Sequence, residues 1–185
     1  VPFQAYAEAN PYFKKRNKDG IVEKWLEKND YFEAFNPLWN DNLNSRNEGK
    51  NVSLSNYFVA EYFPTQEWRI RARLGITYGN NDAEVFYSPE DTRFEDTEVL
   101  KKGEYTSTNT RLNQTEGELS VTWAKILGGH RINLVAGGNF NASKSLVQGY
   151  SVQGFPNGDF TYPSFSNGYP EHGVPTFYES VSRSL

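Results

Sequence analysis

From Trp68 to Gly79 the chain reads Trp-Arg-Ile-Arg-Ala-Arg-Leu-Gly-Ile-Thr-Tyr-Gly and alternates without a break. Trp68, Ile70, Ala72, Leu74, Ile76 and Tyr78 fall on one side; Arg69, Arg71, Arg73, Gly75, Thr77 and Gly79 fall on the other. A helix would scatter both sets around its axis, so a period of two makes this a strand with one greasy and one polar face. What covers the greasy face decides what the chain folds into.

The aromatic residues of that face stand at its two ends, a separation of about 33 Å along an extended strand at ~3.3 Å per residue. A tilt of ~40° brings this to about 25 Å, the height of the apolar band between the aromatic girdles of an outer-membrane barrel. A soluble antiparallel sheet with one wet face alternates in the same way, so this strand alone leaves both covers open.

Other segments join it. Asn51 to Phe63 places Val52, Leu54, Phe58, Ala60 and Tyr62 on one side, with Asn56 as a polar exception. His130 to Asn141 places Ile132, Leu134, Ala136, Gly138 and Phe140 together, although Val135 interrupts the polar set. Arg111 to Trp123 alternates only in its second half, and another strand is expected from Pro175 onward. Tight links at Pro64 to Glu67 and at Lys125 to Gly129 alternate with long irregular ones at 80–110 and 148–174. Strict alternation puts short turns at one end of a sheet and long loops at the other, as in bacterial barrels; a sandwich has no reason to keep it.

The expected fold is therefore all-β: an antiparallel transmembrane β-barrel segment of four or five strands with long extracellular loops. Residues 1–50 read mainly as external loop, 51–79 as a hairpin, 80–110 as external loop, 111–141 as a second hairpin, 148–174 as external loop and 175–185 as the start of the next strand. So few strands cannot close in lipid, where an open edge leaves unpaired backbone groups. With Val1 at the front, no methionine and no leader, the chain is expected to be a piece of something larger. Levelling Trp68 with Trp123 places Arg73 opposite Glu118 and Arg71 opposite Ser120. Arg69, Arg71, Arg73, Glu116 and Glu118 are then expected to face a barrel lumen, and Trp68, Ile70, Leu74, Ile76, Tyr78, Trp123 and Ile132 to face lipid.

Composition narrows the chemistry. A net charge of −4 with scattered Lys and Arg leaves no basic footprint for nucleic acid. The chain has no cysteine and two isolated histidines, His130 and His172, so it offers neither a thiolate site nor a His-rich metal cage. No catalytic motif is present, and no catalytic residue or enzymatic activity is expected. Glu90-Asp91, Glu95-Asp96 and Glu98 read as a solvated acidic loop. Their oxygens are of the type that calcium takes, but they lack the spacing of an EF-hand, so no metal or cofactor is expected. Asp19-Gly20 between Tyr12–Arg16 and Ile21–Trp25 predicts a hairpin, and Asn157-Gly158 and Asn167-Gly168 predict tight turns. The sequons at Asn51, Asn113 and Asn141 are read as chance. Aromatic residues make up 16% of the chain, and many fall in loops; Trp25, Trp39, Tyr87, Phe94, Tyr162, Phe165 and Tyr169 are candidate substrate or lid contacts.

The loops carry a resemblance. Ala9-Asn10-Pro11-Tyr12, Asn36-Pro37-Leu38-Trp39-Asn40 leading to Leu43 through Glu48, Ser88-Pro89, Leu100 through Tyr105, and Gln153-Gly154-Phe155-Pro156 through Phe160 to Pro170 resemble the SusC/RagA-type TonB-dependent transporters of Gram-negative outer membranes. The resemblance spans nearly the whole chain in order. It implies an internal segment of a 22-stranded barrel whose plug domain is absent here, in a protein of the Gram-negative cell outer membrane. Such a transporter imports oligosaccharides or peptides with energy passed through TonB, beneath a SusD-like lipoprotein lid. The rival readings are a soluble β-sandwich that binds glycans and a glycan-cleaving enzyme, which would need two carboxylates ~5–10 Å apart.

Overall fold

A computed structural model describes residues 14–28 and 33–185. Ala9 to Tyr12 of the resemblance, and Tyr12 and Phe13 of the expected first hairpin, lie outside the described residues. Among the described residues all regular structure is strand apart from four short 3₁₀ turns. β1 (Trp25–Lys28) and β2 (Glu33–Phe35) form an antiparallel pair. β3 (Arg46–Tyr62), β4 (Trp68–Tyr87), β5 (Glu104–Leu127), β6 (His130–Gln153) and β7 (Thr176–Ser184) form one sheet in chain order. The sheets are antiparallel, as a barrel segment requires.

The strands run further than the alternation reaches. Residues 80–87, 104–110 and 148–153, expected in external loops, are strand, because Asn, Thr and Ser side chains there bond across the sheet in place of an apolar pattern. Asn109 donates to Asn80 and Asp82, and Thr106 reaches Ser151 at 3.1 Å. The true links are 63–67, 88–103, 128–129 and 154–175, short and long in alternation. Gly128 sits at φ +59°, a conformation that glycine adopts without a Cβ penalty, and closes β5 to β6 in two residues.

Two compact units divide the chain. The first takes 49–82, 108–148 and 176–185, the central stretches of the five strands. Its register is legible in contacts. Ser55 and Thr77 hydroxyls meet at 3.0 Å, the Tyr57 ring and the Glu116 stem close over Gly75, and the Phe140 ring lies on Gly117, leaving no room for a Cβ there. Aromatic-on-glycine packing of this kind pins neighbouring strands against slippage. Trp68 and Trp123 have ring centroids 6.3 Å apart, and the Ala124 N–H donates to the Glu67 carbonyl at 2.8 Å, so the levelling inferred from the sequence holds. The ion pair differs: Arg73 reaches Glu116, diagonally placed, at 3.7 Å rather than Glu118.

This unit is a single layer. Phe58 is 61% exposed, Leu134 60% and Leu74 40%, and Val52, Leu54, Tyr62, Trp68, Ile76 and Tyr78 are likewise open. A sandwich would bury one face of such strands about 10 Å beneath a second sheet, and the sandwich expectation is not met.

The second unit takes the described parts of 1–48 together with 83–107 and 149–175. It holds the tightest burial among the described residues. Phe86, Tyr105, Val152 and Phe155 form its core with Tyr150 against them, and Phe86 meets Phe155 edge to face at 5.1 Å. Gly154 at φ +80° bends the chain out of β6 where a Cβ would strike the Leu100 carbonyl oxygen. The Phe155 N–H then donates to the Lys102 carbonyl at 2.8 Å.

Two turn expectations are corrected here. Asp19-Gly20 does turn, with Asn17 Oδ1 accepting from the Asp19 and Ile21 N–H groups at 3.0 and 2.9 Å, but its described flanks are not paired strands. The hairpin partner of Trp25 is Phe35, whose ring stacks on it at 4.2 Å. Asn157-Gly158 is a turn, closed by the Phe160 N–H on the Asn157 carbonyl at 3.3 Å. Asn167-Gly168 instead forms a bridge with Gln153, because Gln153 at the end of β6 still has backbone groups to satisfy.

Candidate functional site

The polar face of the sheet brings the five expected lumen residues onto one side. Arg69 and Arg71 share the Glu61 carboxylate at 2.5 and 3.6 Å. Arg73 lies 4.6 Å over the Tyr57 ring as well as 3.7 Å from Glu116. Glu118 makes no ion pair among the described residues; with Arg73, Glu116, Asn139, Phe140 and Asn141 it lines a shallow cavity of about 180 Å³. The result is a charged wall that carries both signs, suited to polar contacts. Tyr57, Glu61, Asn139 and Asn141 were not singled out from the sequence. Glu61 had a signal, since it falls on the polar side of the Asn51 to Phe63 alternation.

In the loop unit the seven candidate aromatics divide. Trp25 is stacked between Phe35 and Lys28, whose ammonium sits 4.0 Å over its ring. Trp39 is half-buried and its indole N–H donates to the Glu90 carbonyl at 2.9 Å. Tyr87 carries the Arg93 guanidinium 3.4 Å above its ring, and Phe94 is half-buried. These four are committed to the fold of their own loops. Tyr162, Phe165 and Tyr169 are exposed, and Phe165 packs edge to face on Phe160 at 4.8 Å. Phe165 also borders a cleft of about 490 Å³ lined by Pro89, Val99, Leu100, Phe155 and Pro156 with Lys102 and Asn167 among its polar groups. That cleft was not foreseen, since its walls come from segments far apart in sequence.

Of the five acidic residues expected in a solvated loop, Asp96 and Glu98 are exposed, whereas Glu90, Asp91 and Glu95 are bonded within the unit. Glu90 accepts from the Ser88 hydroxyl and, at 3.2 Å, from the Gly158 N–H. Asp91 is buried and accepts from the Arg93 N–H at 3.0 Å, capping a 3₁₀ turn at Thr92–Phe94. Glu95 is bonded by the Lys24 ammonium, which holds its carboxyl below the usual range, with Lys28 and Lys102 adding to the effect. Short loops with a buried Asp use it to cap backbone donors, and that competes with solvation. No three His, Cys, Asp or Glu side chains converge as a metal site among the described residues.

The residues that carry the resemblance knit this unit together. Asn36 is buried and its amide donates to the Lys15 and Glu23 carbonyls at 2.8 and 2.9 Å, while its oxygen accepts from the Leu38 N–H. Asn40 and Thr92 exchange two hydrogen bonds.

No protein-family model matches the chain, and no curated protein matches its sequence. Two solved structures do match in shape, one of the RagAB peptide transporter and one of the RagAB peptide importer in the "open-open" state. Each superposes with a TM-score of 0.67 at 14% identity, over 89% and 90% of this chain. The fold is that of a segment of an antiparallel β-barrel. The chain spans 18% of the length of each of those proteins, and at this identity the likeness is one of fold. Among the described residues no helix is long and apolar enough to cross a membrane, which leaves strand crossing open.

Proposed function

We propose that the chain is part of an outer-membrane active transporter that imports oligosaccharides or peptides, is energised through TonB and works with a SusD-like lipoprotein. The observation that carries this reading is the uncovered apolar belt of the single-layer sheet, bounded by Trp68 and Trp123 at one end and by Tyr78 at the other. A belt of this kind in water is an aggregation surface; in a bilayer it is the lipid-facing band of a barrel. The shape match to a segment of RagAB supports the same assignment.

On this reading the wall of Arg69, Arg71, Arg73, Glu116 and Glu118 faces the lumen. The long connections 88–103 and 154–175 stand on the external side, where Tyr162, Phe165 and Tyr169 meet cargo or lid. Function is binding followed by gated passage, with no covalent step. The test is made on the full-length protein that contains this chain, expressed in its host. It should fractionate with the outer membrane, co-purify with a lipoprotein, and support uptake of labelled oligosaccharide or peptide that stops when the proton gradient is collapsed. Recovery as a detergent-free monomer in the soluble fraction would overturn the proposal.

A further inference from the structure

On the greasy face the apolar pattern of β4 ends at Tyr78, and basic side chains stand at or past that level on the neighbouring strands. Past Tyr78 the same face of β4 continues with Asn80 and Asp82. The constant register of the β3–β4 pair, seen in Ser55 with Thr77 and Tyr57 with Gly75, puts Lys50 on this face across from Asp82. The Leu112 side chain lies beside Gly79 on the opposite, polar face, so Arg111 is outward, across from Asn80. Phe140 is outward on Gly117, and Lys144, two full repeats of the alternation further along β6, is outward as well. Three strands thus present basic groups at this edge, Lys144 level with Tyr78, Arg111 level with Asn80 and Lys50 level with Asp82.

Two acids beside these residues are already bonded, one of them by Lys144 itself. Asp82 is bonded by the amides of Asn80, at 2.7 Å, and Asn109. Glu179 pairs with Lys144 at 2.9 Å across β6 and β7. Lys50 and Arg111 are exposed and have no ion-pair partner among the described residues. Long basic side chains at the rim of an apolar band reach outward to the headgroup layer. There the anionic groups are lipid phosphates, whose oxygens suit an Arg fork and point-charge ammoniums.

We infer that Lys50 and Arg111 form a contact site for the phosphate groups of outer-leaflet lipid. The site rests on the membrane reading proposed above. In the bilayer it fixes the height and rotation of this stretch of wall, as anchors at the interface do.

The test uses the full-length protein reconstituted in vesicles of zwitterionic phosphatidylcholine carrying a small fraction of either diphosphorylated or dephosphorylated lipid A. Insertion is read by protease protection, and retained lipid A by mass spectrometry of the detergent-extracted complex. The wild type should insert in both vesicles and retain the diphosphorylated lipid in preference. Each basic residue at an anionic surface contributes a factor of about five, so the double variant K50Q/R111Q should insert normally yet lose about twenty-five-fold in that preference. The control E118Q, on the opposite face, should keep it. Equal retention of both lipids by wild type, or an unchanged preference in the double variant, would overturn the site while leaving the transporter reading intact. Release of the lipid by millimolar inorganic phosphate would show a free-anion site and overturn the lipid assignment. Failure of wild type to insert in either vesicle would remove the transporter reading and this site with it.

Discussion

At the scale of single residues, polarity in the loops is structural more often than functional. Ser88 is fully buried, its N–H on Ser45 Oγ at 3.0 Å and its hydroxyl on Glu90. Asn36 satisfies carbonyls that would otherwise be orphaned. The Lys24–Glu95 pair ties the segment before β1 to the 88–103 connection, and its pH dependence has a definite sign. Glu95's carboxyl is depressed in the folded state from its ordinary value of 4.5, first by the Lys24 hydrogen bond. Its contribution is therefore complete above that ordinary value and is lost as pH falls through the depressed one. Exchange protection of the Phe94 and Thr97 amides, whose N–H groups close the local turns, should be level from pH 8 to about 5 and fall below about 4.5. Glu95→Gln should remove that acid step. A step between pH 6 and 7, or one that survives in Glu95→Gln, would show that another group controls the loop.

At the scale of elements, alternation was informative wherever one face is greasy and silent wherever both are polar. Trp68 to Gly79 announced a strand, and the strand does begin at Trp68. Its continuation through Asn80 to Tyr87 was illegible, because Asn-Asn-Asp reads as a turn and its cross-strand amide bonds leave no hydrophobic trace. The start of β5 was hidden likewise: Thr106 pairs with Ser151, and Asn109 with Asn80 and Asp82, through hydroxyls and amides. Within the visible band, adjacent residues should respond unequally. Leu74 lies between the Trp68 and Tyr78 girdle positions, near the middle of the band, and Leu74→Arg should cost about 2–4 kcal/mol in the full-length protein in lipid. Arg73→Gln removes one exposed ion pair at 3.7 Å and one ring contact, and should cost less than about 1 kcal/mol. Urea titration of vesicle-inserted protein measures both, and a reversed order would place water rather than lipid on the Leu74 side.

At the scale of the whole molecule, the sequence disclosed the sheet's two faces and the rhythm of its connections, but not the core of the loop unit. Phe86, Tyr105, Val152 and Phe155 come from three separate stretches; only tertiary closure brings them together, so no local period could reveal them. The consequence is a chain whose densest packing lies in its loops while its most regular strands are open on the greasy side. That inversion makes sense if the solvent of the sheet is hydrocarbon, and neighbouring positions can read it directly. The chain has no cysteine, so Ile76→Cys and Thr77→Cys, made in a full-length background free of other cysteines, each accept one fluorescent label. Ile76 lies on the exposed apolar face, and Thr77 points to the Ser55 side. In vesicles made with lipids brominated along the acyl chain, emission from position 76 should be strongly quenched and that from position 77 spared. Aqueous iodide should quench position 77 and spare position 76. If bromine spares both labels, a layer of protein covers the greasy face, and the transporter-wall assignment fails at its physical root.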